Sequence, residues 1–108
     1  MVEIELDIFD GRPNPSWRLN DDEARVLMAL TDGLPPAERP PDAPMGYRGF
    51  VIKRADAAGL TSAPLRVFAG TVACNSEHHR DTRGAEAWLM RNARQHGCSA
   101  LLDGIPCP

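Results

Sequence analysis

Between Val2 and Phe9 apolar and acidic side chains alternate almost without a break. Val2, Ile4, Leu6 and Ile8 fall on one parity, and Glu3, Glu5 and Asp7 on the other. A period of two belongs to a strand with one face in a core and one in water. It predicts a first strand, ended by Asp10-Gly11. Beyond Asn20 the pattern changes to a helical one. Asn20 stands three residues ahead of Glu23, the spacing of a capping box, and Leu19 and Ala24 occupy the positions of a hydrophobic staple. Asp21, Asp22 and Glu23 place negative charge at the positive end of the helix dipole. Ala24, Leu27, Leu30, Thr31 and Leu34 share one side, which is expected to face the sheet, and Gly33 before Pro35-Pro36 stops the helix.

Residues 35–46 hold five prolines and no apolar period, which reads as an exposed, semi-stiff spacer. Residues 47–54 and 65–73 read as two further strands with apolar positions on both faces, separated by a turn region with Gly59 and Pro64. Thr82 is the expected N-cap of a second helix with Ala85, Trp88, Leu89, Asn92 and Ala93 on its inner side and Gly97 at its C-cap. The expected fold class is α+β: a small three-stranded sheet in the order β-α-β-β-α, two helices on one face, and a short C-terminal tail. The expected organisation is a single domain over 1–97, with residues 98–108 docked on it through Leu101, Leu102 and Ile105 or partly mobile. A sheet that narrow has open edges, suited to pairing across a homodimer.

Composition changes this picture little. A chain of 108 residues with ordinary apolar and charged fractions is a single small globular unit. A net charge of -3 argues against a nucleic-acid partner, because there is no basic excess to displace counterions. Lys53 is the lone lysine among many arginines, alanines and prolines, the coding bias of a GC-rich, bacterial genome. No export signal and no apolar run of membrane-spanning length is visible, so a cytoplasmic location without membrane association is expected. Three cysteines, Cys74, Cys98 and Cys107, fit reduced thiols better than a disulfide framework.

Candidate chemistry sits in three places. The stretch GRPNPSW, residues 11–17, joins the first strand to the first helix with two prolines and a tryptophan. Proline fixes its own φ and forces the preceding residue extended, so Arg12-Pro13 and Asn14-Pro15 have few backbone states, whether either peptide bond is cis or trans. Arginine and tryptophan are the usual anchors of interfaces. Arg12, Asn14, Trp17 and Arg18 are therefore the candidate contact residues, with Trp17 placed either against the core beside Leu19 or outward. The second place is CNSEHH, residues 74–79, read as a loop where the third strand ends and before the second helix begins. Its thiol and imidazoles could hold zinc or copper if Cys107 folds back to join Cys74, His78 and His79. The same residues lack the oxyanion donors and orienting group of a thiol enzyme, so enzymatic activity ranks last. The third is the tail, where Cys107 lies one residue from the terminus between two prolines. A precursor whose terminal cysteine is modified by a partner enzyme would look like this.

The reading that follows is a small non-catalytic binding or accessory module. It carries no cofactor, takes another protein or peptide as partner, and uses the proline-braced loop as its contact surface. The metal protein and the modified precursor are the alternatives.

Overall fold

The computed structural model describes residues 1–8, 14–38, 47–56, 58–75 and 77–98. Its centre is a six-stranded antiparallel sheet in the order β2-β1-β3-β4-β5-β6. The strands are β1 (Val2–Leu6), β2 (Ser16–Arg18), β3 (Phe50–Arg54), β4 (Leu65–Phe68), β5 (Thr71–Cys74) and β6 (Glu77–Arg80); the helices are α1 (Asp21–Thr31) and α2 (Ala85–Gln95). The fold is mixed α+β, but the three-stranded sheet expected from the sequence is corrected to six strands.

Two turns and one short strand account for the difference. Ala69 and Gly70 both have positive φ, the geometry of a tight two-residue hairpin turn, and they cut the apolar run 65–73 into β4 and β5. Asn75, also at positive φ, begins a second reversal, and Glu77–Arg80 returns as β6 instead of remaining a loop. The apolar residues that seemed to lie on both faces of one strand thus belong to two strands of a hairpin. Finally, Ser16–Arg18 pairs with β1, held by bonds from Leu6 N–H to Pro15 C=O and from Leu19 N–H to Val2 C=O, both 2.9 Å.

Both helices cover one face. Val2, Ile4, Leu6, Phe50, Ile52, Leu65, Val67 and Val72 supply the sheet side of the core, and Leu27, Ala85, Leu89 and Ala93 the helix side. α1 starts as its sequence indicates: the Asn20 side chain accepts from Glu23 N–H at 2.7 Å, and Glu23 accepts from Asn20 N–H at 3.0 Å. α2 starts differently. Its N-cap is Gly84, in the left-handed region, and the carboxylate of Asp81 rather than Thr82 accepts from Ala85 and Glu86 N–H. Its other end is a Schellman closure, with Gly97 N–H on Arg94 C=O and Cys98 N–H on Ala93 C=O, which draws Cys98 into the core.

Gly49 sets the start of β3. It has φ +91°, and a Cβ there would stand 2.1 Å from the Val67 carbonyl oxygen. Only glycine lets the two backbones approach so closely. At the far side of the sheet, Pro35–Ala37 runs along β6: Arg80 N–H donates to Pro35 C=O and Ala37 N–H to His78 C=O. No helix among the described residues is long and apolar enough to cross a membrane.

Candidate functional site

The corner after β1 sends its side chains to both sides of the sheet. Trp17 lies opposite Ile4, on the helix side, where its ring packs against the core. Its Nε1–H donates to Asn92 Oδ1 at 2.7 Å, and its indole stacks on the His96 ring with centroids 5.7 Å apart and planes 17° from parallel. Asn92 Nδ2 donates to Glu23 Oε2 at 2.5 Å, and His96 Nε2 stands 3.2 Å from the same oxygen. Burial pushes the Glu23 carboxyl up, but its bonds from Asn20, Asn92 and His96 outweigh this and hold it below the ordinary glutamate value. A groove of about 270 Å³ opens beside this network between α1 and α2, with Val26, Trp88 and Arg91 also lining it. The acceptors of Glu23 are already engaged, so the network closes on itself and ties β2 to both helices.

The other face of the sheet has a different character. Register places Ser16, Glu5, Val51, Arg66, Ala73 and His78 in one row across all six strands, and Arg18, Glu3 and Lys53 in the row beside it. Among the described residues no helix or strand packs over these rows, and Arg18, Lys53 and Arg66 are exposed. Their centre is nevertheless ordered. Asp7, only 8 % exposed, receives Arg48 Nη2 at 2.9 Å and Arg66 Nη1 at 2.7 Å on separate oxygens. Burial pushes its carboxyl up, yet the hydrogen bonds and charges of Arg66 and Arg48 prevail, and it ionises more readily than a free aspartate. Asn14 accepts from Ile8 N–H at 3.0 Å and donates to Glu5 and Asp7, and Lys53 donates to Glu5 at 2.8 Å. The Asn14–Pro15 peptide is trans.

A scan against protein-family models and searches of the curated proteins and the solved structures find no match to this chain. Asn14 and Arg18 belong to the open face, Trp17 to the helix side, and Arg12 lies outside the described residues. His78 pairs with Ala73 and His79 with Val72, so the two imidazoles leave β6 on opposite faces, with Cys74 on the face of His79. Among the described residues no three or more His, Cys, Asp or Glu are placed to hold a metal ion, and Cys107 lies outside them.

Several partners in these networks were not foreseen, His96 among them. Arg48 and Arg66 carry no local motif, and they reach Asp7 only through strand register. Asn92 did leave a signal, a polar amide within an otherwise apolar helix stripe. A group of that kind must find a partner when buried.

Proposed function

We propose that this chain is a non-catalytic binding module whose contact surface is the open face of the sheet beside residues 14–18, and whose partner is another protein or peptide. The observation that carries this reading is Asp7, nearly buried at a face that no described element covers, and fixed between two arginines. Exposed ion pairs usually fluctuate and contribute little. A clamp of two guanidiniums on one carboxylate, braced by Asn14, holds long side chains in place before any partner arrives. Less side-chain freedom is then lost on association. The helix side offers no comparable surface, since the partners of Trp17, Asn92 and Glu23 are one another.

A benzophenone photocrosslinker placed singly at Ser16, Lys53 or Arg25 in the source organism tests this. Ser16 and Lys53 should give the same dominant protein adduct, and Arg25, on α1, should not. The identified partner should then bind the purified chain and lose about tenfold or more in affinity on Arg18→Glu, from charge reversal on the contact face. Adducts from Arg25 alone, or from none of the three positions, would overturn the reading.

A further inference from the structure

The open face is not uniform. On β2, β1 and β3 its cations alternate with carboxylates: Arg18 with Glu3, Lys53 with Glu5, Arg48 with Asp7. On β4, β5 and β6 the positions that register assigns to this face are Arg66, Phe68, Ala73, Thr71, His78 and Arg80, with Thr71 buried and no carboxylate among them. Glu77 falls on the other parity, opposite Cys74, and Asp81 is turned to the N-terminus of α2. Arg66 shares Asp7 with Arg48, each guanidinium on its own carboxylate oxygen. Arg66 has about half its side chain in solvent, at 51 %. Arg66 and His78 flank Ala73 in one row, two strands and roughly 10 Å apart. The short alanine thus lies between two longer side chains, each carrying polar nitrogens.

Resting on the open-face reading above, we infer that the β4–β6 half of this face receives an acidic segment of a protein partner, its carboxylates set between Arg66, His78 and Arg80. Charge complementarity argues for this occupant. The row Val51, Arg66, Ala73, His78 contains no Phe, Tyr or Trp on which bases would stack, and Phe68 in the row beside it packs its ring against Tyr47, with centroids 5.7 Å apart. The chain as a whole is negative, at -3, which works against a long polyanion while leaving a short acidic segment free to use a local basic strip.

The test uses the full chain, labelled for amide NMR, with a synthetic peptide of alternating Glu and Ala. Its Gln–Ala counterpart and oligothymidylate serve as comparison probes. The acidic peptide should shift amides of β4–β6, with an affinity that falls as salt is raised. It should weaken about tenfold or more in Arg66→Glu and in Ala73→Glu, which leaves the Arg66–Asp7 pair intact. Circular dichroism establishes that each variant is folded. If the Gln peptide binds the sheet face equally well, the acidic assignment fails and the open-face reading stands. If oligothymidylate binds there more tightly than the peptide, the partner class is overturned. If every shift maps to α1 and α2, or none occurs, both readings fall.

Discussion

Asn14 and Trp17 are near neighbours in sequence, yet they anchor two polar networks on opposite sides of the sheet. The network of Trp17 lies against α1 and α2, contains a single carboxylate, and uses its donors and acceptors internally through Asn92. The network of Asn14 faces water, is rich in charge, and leaves Arg66 half exposed. The contrast gives Pro15, which stands between the two, a physical role. A stiff connection holds the tryptophan against α2 and the asparagine beside Asp7 at once, and slack in the chain would loosen both.

The largest loss is expected at Trp17. Trp17→Ala removes a half-buried ring, its bond to Asn92 and its stack on His96, and should cost about 3 kcal/mol, read from the denaturant midpoint at unchanged slope. A change below about 1 kcal/mol would mean that the indole contributes little to the enclosed network.

Asp7 comes next. Asp7→Ala leaves Arg48 and Arg66 facing each other without their shared acceptor, and should cost about 2 kcal/mol. Its carboxyl ionises more readily in the folded chain than in the unfolded one. Its contribution is therefore complete above the unfolded value of about 4 and is lost as pH falls through the lower folded value. Glu5, held down chiefly by its bond from Lys53, and Glu23 act in the same direction. The thermal midpoint should accordingly drop below about pH 4, and less steeply in Asp7→Asn than in the native chain. Equal acid slopes in the two would remove Asp7 from this account.

The smallest effect is expected at Lys53. Its pair with Glu5 is half in solvent, and Lys53→Ala should change stability by under about 1 kcal/mol. A larger loss would show that the open lattice supports the fold and is not only a surface.

Local signals made α1, the C-terminus of α2 and the parity of β1 legible, because a capping box, a glycine closure and an alternating run are each written within a few residues. The number of strands was not legible. Ala69-Gly70 is a weak spelling of a turn that Asn-Gly would announce, and the three residues of β2 are too few to show a period. His78 and His79 looked like a loop because imidazoles lack strand propensity, whereas pairing with β5 decided their conformation. The open-face cluster was hidden for a related reason. Asp7 was visible as one of a row of acids, but its partners are 41 and 59 residues away and meet it only once register is fixed.

The segment Pro35–Ala37, lying along the last strand, limits what the molecule can build. Arg80 N–H and His78 C=O are already bonded, and Pro36 has no N–H to offer a newcomer. Strand addition is left with the three-residue rim at Ser16–Arg18 as its remaining place among the described residues. Edge-to-edge stacking of copies across the β6 rim is thus blocked by the chain's own Pro35–Ala37.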